Sequence, residues 1–229
     1  MRSIPVLVAL ALTPFLATSS RAQFMGELRL SPDGCQGTGL CVLDAPIRFK
    51  DSAGVVWKAG AGLVTDGASI PDVFEPFVGA PFEERFIRAA VIHDHYCDRR
   101  VRPWLQTHRV FYEALVDQGV SEAKAKTMYF AVLLGGPKWV KVVPGETCDQ
   151  ACVYALTSAA GSEGFWSRPA DFGNPSLPQE MAELLSELES DASALTLEQI
   201  EGRAKAMRPG DFFFANGDEV PASSLDTTK

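Results

Sequence analysis

The spacing of apolar residues changes along the chain, and that change constrains the fold more than any other feature of the sequence. Before the turn-rich segment 65–71, apolar side chains recur at every second position, as at Leu28 and Leu30 and again at Ile47 and Phe49, which is the period of half-buried strands. After that segment the period becomes about 3.6 residues, which is typical of helices. The sequence therefore predicts an α+β fold, with a small N-terminal antiparallel sheet followed by a mainly helical core.

Three helices are predicted in this core. Their bounds are 81–97, 103–119 and, behind Ser121 as N-cap, up to Gly135. Side chains three or four positions apart share one face of a helix, and this spacing places His93 on the apolar face of the first helix and His108 on that of the second. We therefore predict a helix carrying His93 and Asp94 that packs on a second, antiparallel helix, with both histidines directed inward.

The first 22 residues have the composition of a cleavable signal peptide. Arg2 supplies a positive start, Val6–Ala17 is mostly apolar, and Ser20–Ala22 offers small residues at the cleavage positions. A membrane-spanning helix needs roughly 20 apolar residues, so this shorter run favours a cleaved leader over an uncleaved anchor. The sequence therefore predicts a secreted or periplasmic protein.

Composition divides the remaining chain into four parts. The main domain is predicted at 23–152, a Gly/Ser/Pro-rich loop at 153–178, a helical appendage at 179–215 and a disordered tail at 216–229. The appendage contains Leu184 and Leu188 at helical spacing, and Thr196 with Gln199 forms a predicted capping box for its second helix.

The predicted mature chain is acidic. Removal of residues 1–22 takes away two arginines and no acidic residue, which changes the formal net charge from −8 to −10. An acidic surface repels phosphate backbones, so we expect no nucleic-acid partner, and we interpret the basic pair Lys138 and Lys141 as solvated.

The chain has five cysteines, which can pair in an oxidising compartment. We favour a disulfide between Cys35 and Cys41, because the Gly-rich loop between them can bring the two side chains together. Cys148 and Cys152, four positions apart, pair only if the backbone there is irregular. The connectivity is otherwise open.

All three histidines, His93, His95 and His108, fall in the first two predicted helices of the core. Imidazole titrates near neutral pH and binds metals through either nitrogen, so inward histidines on adjacent helices can share a metal or act as a base. A buried histidine that only satisfies hydrogen bonds is the competing interpretation for His93. His95 lies off the inward face and is expected to be solvated.

Motifs in the middle of the chain resemble a known family. They are Thr65-Asp66-Gly67-Ala68-Ser69-Ile70-Pro71, Ala89-Ala90-Val91-Ile92-His93-Asp94, Phe111 and Ala114 before Gly119-Val120, and Met128-Tyr129 with Ala131-Val132, Gly135 and Trp139. Over roughly residues 48–139 the set resembles the domain of unknown function family 1353, common in phages and bacteria, which implies a fold but no reaction. The chain departs from the family pattern at Thr107-His108, where an Asp is usual, and at Cys97, where a Tyr is usual. The first departure removes a carboxylate partner for His93, and the second places a thiol near the candidate site.

The order of the parts also resembles secreted phospholipases of the bacterial type. That resemblance implies His93 as general base, Asp94 as a calcium ligand and the loop from Asp66 to Ser69 as the source of the remaining oxygens. His108 stands where those enzymes have an orienting Asp. By its residues alone, Asp66 is better explained by a tight turn whose carboxylate caps backbone amides than by a metal ligand.

Three hypotheses for the function follow. The first is an exported hydrolase of an envelope lipid or of peptidoglycan, with His93 and Asp94 catalytic and with calcium or zinc as the metal. The alternative is a non-catalytic envelope or phage-derived structural module, in which His93 and Asp94 form a structural hydrogen-bond node. The third is a zinc site that uses His93, His108 and a carboxylate such as that of Asp94.

Overall fold

The computed structural model of the protein describes residues 21–32, 40–65, 84–143 and 164–225. The strands in these ranges are β1 (Gln23–Met25), β2 (Leu30–Ser31), β3 (Cys41–Leu43), β4 (Ile47–Lys50), β5 (Val56–Ala59), β6 (Val64–Thr65), β7 (Lys138–Val143), β8 (Phe165–Arg168) and β9 (Glu219–Pro221). The helices are α1 (Glu84–Arg99), α2 (Trp104–Asp117), α3 (Glu122–Gly135), α4 (Leu177–Ser190), α5 (Leu197–Met207) and α6 (Phe212–Ala215), and a short 3-10 turn covers Ala222–Ser224. This order confirms the predicted α+β class.

The N-terminal strands form two small antiparallel sheets, whereas the sequence predicts one. One sheet has the order β1-β4-β5 and the other has the order β2-β3-β6. Strand β3 was not predicted, because three residues are too few to show a period of two; Cys41 and Leu43 are nevertheless both buried. In the other sheet the alternation at Ile47 and Phe49 is confirmed, since both side chains are fully buried.

The three core helices lie close to their predicted positions. Helix α2 begins directly after Pro103, because proline is favoured at the start of a helix. Helix α3 ends before Gly136, because Pro137, one residue further on, cannot continue a helix. Helix α3 is buried on nearly every side, since it is the central helix of the core. No helix in the described ranges is both long and apolar enough to cross a bilayer.

Helices α1 and α2 pack against each other across a tight turn. Arg100, at the end of α1, has a φ of 56°, and its N–H donates to the carbonyl of Tyr96. A residue in this left-handed region commonly ends a helix and reverses the chain. The turn leaves only four residues between the helices, so the inward face of α1 meets the inward face of α2.

A third sheet lies at the C-terminal side and differs from the sequence prediction. Strand β8 pairs antiparallel with β7 inside the predicted loop 153–178, and β9 pairs parallel with the other edge of β7 inside the predicted tail 216–229. The reason is that β7 contains the buried Trp139 and Val140 and needs hydrogen-bond partners along both edges. Val220 of β9 is buried in turn.

Helices α4 and α5 pack on α3. Leu184 and Leu188 of α4 are fully buried, as is Ile200 of α5. The predicted capping box is confirmed, since Thr196 accepts from the backbone N–H of Gln199 and the Gln199 side chain accepts from that of Thr196. These helices contribute to the same hydrophobic core as α1, α2 and α3.

Candidate functional site

His93 and His108 meet in the interior, as the helical periodicity predicts. Nε2 of His93 on α1 lies 2.8 Å from Nδ1 of His108 on α2. His93 is 6% exposed and His108 is completely buried. The ring of Phe111 packs on His93, with 4.7 Å between the ring centroids. The two imidazoles are therefore hydrogen-bonded to each other in an apolar setting.

Cys97 joins the two histidines. It lies one helical turn after His93, its Sγ is 3.5 Å from His93 Nε2, and its thiol is free and buried. One ligand atom from each of His93, Cys97 and His108 lies within 4.8 Å of the others. In the part of the chain that the structure describes, no other set of three histidine, cysteine or acidic side chains has the spacing of a metal site.

Asp94 contacts the opposite side of the His93 ring. Its Oδ1 lies 3.3 Å from Nδ1 of His93, and its side chain is 48% exposed. The structure thus places the Asp94 carboxylate against the histidine. His93 therefore has a neighbour at each nitrogen, one inside the core and one at the surface.

His108 has an unusual environment at its second ring nitrogen. Nε2 is buried and makes no hydrogen bond of ordinary geometry within the described residues. A Cβ placed on Gly136 would lie 3.1 Å from this atom, so glycine lets the backbone approach the ring. Burial, followed by the nearby His93, holds the pKa of His108 well below its usual range, while the backbone of Pro137 acts in the opposite direction as a hydrogen-bond acceptor.

The thiol of Cys97 is also held in its neutral form. Burial raises the pKa of Cys97 well above its ordinary value, and the negative charges of Asp94 and Asp98 raise it further. A thiol in this state is a poor nucleophile, since the thiolate is the reactive species. Without a bound cation, the His108 ring and the Cys97 thiol are therefore both uncharged.

A pocket opens beside the cluster, on the side of Asp94. It has a volume of ≈ 380 Å³ and is lined by Leu40, Leu63, Val64, Thr65, Val91, Asp94, His95 and Asp98. His95 was predicted to be solvated, but it is partly buried in this wall, and its Nδ1 atom has no partner within the described ranges. Its pKa is lowered by burial and by Arg99. The error arose because helical spacing ignores the strands that pack beside α1.

Three predicted site residues lie outside the part of the chain that the structure describes. Asp66 and Ser69 lie outside the described residues, but Thr65, which precedes them, lines the pocket. Cys35 also lies outside them, whereas Cys41 is buried on β3, so the predicted disulfide between the two stays a prediction.

Lys138 is a buried residue that the sequence interpretation missed. It was interpreted as solvated, but it is fully buried, with its ammonium 3.4 Å from the carboxylate of Asp211. A lysine is rarely buried unless it is paired, and its partner Asp211 lies far away in the sequence. The contrary signal was the apolar run Trp139-Val140, which predicts a buried strand start.

Comparison with known proteins agrees with the motifs. The profile described as "Protein of unknown function (DUF1353)" matches residues 41–132. The chain is also 38% identical over 193 residues to the uncharacterized protein y4iH of Sinorhizobium fredii (strain NBRC 101917 / NGR234), which covers 82% of this chain and 78% of that protein. The chain belongs to the DUF1353 family.

A second relative extends the DUF1353 comparison. The uncharacterized protein y4jT of the same strain is 38% identical over 128 residues, which cover 54% of this chain and 38% of that protein. No solved structure matches the chain significantly. The family resemblance is thus confirmed, whereas these comparisons do not support the resemblance to secreted phospholipases.

Proposed function

We propose that the protein is an exported hydrolase of an envelope lipid, with His93 and Asp94 at its reacting centre. One observation carries the proposal: His93 has a neighbour at each ring nitrogen, His108 at 2.8 Å and Asp94 at 3.3 Å, and Asp94 lines an open pocket. A histidine that is oriented by a buried partner and lies beside a carboxylate is a common arrangement of a general base.

The chemistry uses one tautomer of His93. When its Nε2–H donates to Nδ1 of His108, its Nδ1 carries a lone pair on the side of Asp94. A water molecule there gives a proton to Nδ1 as its oxygen attacks an ester carbonyl. The ester C–O bond then breaks, and the imidazolium returns the proton to the leaving alcohol. The adjacent Asp94 carboxylate stabilises the imidazolium between these steps.

The pocket favours a lipid over peptidoglycan as the substrate. Its wall contains Leu40, Leu63, Val64 and Val91, and the first and third of these are 54% and 59% exposed. Apolar side chains rimmed by polar groups suit an acyl chain. The polar strands of peptidoglycan gain little from such a wall.

A second candidate function, the structural hydrogen-bond node, is supported by burial. With His93 only 6% and His108 0% exposed, a substrate has little access to the inner half of the pair. A buried polar side chain needs a hydrogen-bond partner in any case. In this view the protein is a non-catalytic envelope or phage-derived module, and the histidines only join α1 to α2.

Turnover measurements separate the two candidates. We measure the hydrolysis of three substrates: fluorogenic acyl esters in mixed micelles, envelope phospholipids and purified peptidoglycan. The proteins compared are the wild type, His93→Ala, Asp94→Asn and Glu189→Gln. Glu189 is exposed on α4 and serves as the control. We expect ester hydrolysis that falls by about 100-fold or more in His93→Ala and is unchanged in Glu189→Gln. No hydrolysis by the wild type, or full hydrolysis by a folded His93→Ala variant, rejects the hydrolase proposal. If His93→Ala then only lowers the melting temperature, the structural hydrogen-bond node is supported.

Export is tested separately. The full chain is expressed in a Gram-negative host, and the N-terminus of the protein recovered from the periplasm or medium is determined by mass spectrometry. We expect a chain that begins at Gln23. Recovery only from the cytoplasm with residues 1–22 intact contradicts the export proposal.

A further inference from the structure

We infer that His93, Cys97 and His108 together bind one transition-metal ion, with Zn²⁺ as the best fit. The ligand atoms are Nε2 of His93, Sγ of Cys97 and Nδ1 of His108, which lie within 4.8 Å of one another. Imidazole nitrogen and thiolate sulfur are the ligands that zinc prefers. The inference goes beyond the proposed function, because an ion bound to Nε2 of His93 leaves the proton on Nδ1, so that the bound metal replaces this nitrogen as the group that activates water.

Two of the three distances between the ligand atoms are close to those around a tetrahedral ion, and the third is at most 4.8 Å. Zinc lies about 2.0–2.1 Å from imidazole nitrogen and about 2.3 Å from sulfur, so two nitrogens on one ion are about 3.3 Å apart and a nitrogen and a sulfur about 3.6 Å. The distance from Cys97 Sγ to His93 Nε2 is 3.5 Å, close to that value. The two imidazole nitrogens, at 2.8 Å, have to separate by about half an ångström.

The protons of the two rings give an independent argument. Without a cation, only one proton can lie between Nε2 of His93 and Nδ1 of His108. If both rings are neutral, one of the two outer nitrogens then lacks a proton: Nδ1 of His93 or Nε2 of His108. Nδ1 of His93 faces the Asp94 carboxylate at 3.3 Å, and Nε2 of His108 is buried with no hydrogen-bond partner within the described residues. With two neutral rings, the deprotonated outer nitrogen is therefore either an acceptor that faces the Asp94 carboxylate or a buried acceptor without a donor.

A metal ion between the rings removes this conflict. Both inner nitrogens then present lone pairs to the ion, and both outer nitrogens carry protons. Nδ1–H of His93 donates to Asp94. Metal-bound histidines usually donate their other N–H to a carboxylate or a backbone carbonyl in this way.

The charges also fit a divalent ion. A cation deprotonates the thiol of Cys97 that coordinates it, and the resulting thiolate and the Asp94 carboxylate cancel two positive charges. The ion is then neutralised by one buried thiolate and one carboxylate at the surface, which avoids the large penalty of an isolated buried ion. Three protein ligands leave a fourth position for water or substrate, which is the pattern of catalytic zinc sites.

Metal stoichiometry and a spectrum test the inference. Wild type, Cys97→Ser, His108→Asn and Cys152→Ser are treated with chelator, incubated with ZnCl₂ or CoCl₂ and desalted; Cys152 is a cysteine that the inference does not use. We expect one zinc per chain in the wild type and in Cys152→Ser, and at least tenfold weaker retention in the two cluster variants. The cobalt-loaded wild type should show the near-ultraviolet absorption of a thiolate–cobalt bond, which Cys97→Ser should lack.

The cobalt spectrum of the wild type decides the matter even if the variants do not fold. A wild type that retains no metal, or that binds cobalt without thiolate absorption, overturns the inference. Retention by Cys97→Ser and His108→Asn that equals that of the wild type overturns it as well. Zinc binding without ester hydrolysis supports the metal site and rejects the hydrolase. Hydrolysis that persists in chelator, without bound metal, supports the hydrolase and rejects the metal site.

Discussion

Nε2 of His93 lies 2.8 Å from Nδ1 of His108, although the two residues belong to different helices and are 15 positions apart. The left-handed backbone of Arg100 turns the chain between them, and the burial of both rings excludes water from the contact. A buried pair of this kind has to be satisfied by a shared proton or by a cation. Which of the two occupies the contact determines what the site can do.

The approach of Gly136 to His108 predicts a large effect of a small substitution. A Cβ at this position would overlap the carbonyl oxygen of Val132 and would lie 3.1 Å from His108 Nε2. Because neither neighbour is the end of a flexible chain, we expect Gly136→Ala to lower the free energy of unfolding by about 1–3 kcal/mol. Urea unfolding of both proteins measures the change.

Gly202→Ala is the matched control for this substitution. Gly202 lies inside α5, and a Cβ there would meet no atom within 4 Å. Alanine is the better helix former, so this variant should be more stable by about 0.5–1 kcal/mol. Equal effects of the two substitutions would show that the space around Gly136 is not restricted.

An ion pair between α2 and α5 predicts a difference between two glutamates. Arg109 donates two hydrogen bonds to Glu201 and one to Glu198. Glu201 also accepts a hydrogen bond from the Tyr129 hydroxyl. The Glu201 side chain is 16% exposed and that of Glu198 is 69% exposed. We expect Glu201→Gln to lower the free energy of unfolding by about 2 kcal/mol and Glu198→Gln to change it by less than about 0.5 kcal/mol. Thermal unfolding would contradict this account if both variants melted alike.

The buried Lys138 predicts an unusual dependence of stability on pH. Burial lowers its pKa from 10.5 to about 8, opposed by Asp211 and assisted by Arg168 and Arg208. Between these two pH values the folded chain binds fewer protons than the unfolded chain, so this contribution to stability increases as the pH rises. From pH 7 to pH 9.5 the gain is about 2 kcal/mol.

Two lysine variants isolate that gain from other titrations. Lys138→Met removes the buried amine, whereas Lys141→Met, on the same strand, removes an exposed one. Urea unfolding at pH 7 and pH 9.5 should show the wild type gaining about 2 kcal/mol relative to Lys138→Met and nothing relative to Lys141→Met. A wild type that gains nothing relative to Lys138→Met would mean that the amine is neutral at both pH values or is solvated.

The helices and the histidine pair could be predicted because their signals are local. Pro103 and Gly136 mark helix ends in the sequence itself, and the 3.6-residue period alone turns His93 and His108 inward. Strands β3, β8 and β9 could not be found in this way. Each is three or four residues long, and what makes it a strand is a partner that lies far away in the sequence.

The details of the site depend on tertiary contacts that no local pattern contains. The burial of Lys138 requires Asp211, which is 73 positions further along the chain. The direction of each imidazole nitrogen depends on side-chain rotamers, so the sequence predicts that His93 and His108 meet but not which atoms do. Cys97 was predicted to lie near the site, and only the packed helix shows its Sγ at 3.5 Å from His93.

The central claim is that His93, Cys97 and His108 form one site. X-ray absorption at the zinc edge of the protein loaded with one equivalent of zinc tests it most directly. The account predicts two imidazole nitrogens at about 2.0–2.1 Å and one sulfur at about 2.3 Å, with the sulfur absent in Cys97→Ser and one imidazole lost in His108→Asn. A first shell of oxygen atoms only, or one that neither substitution changes, would contradict it.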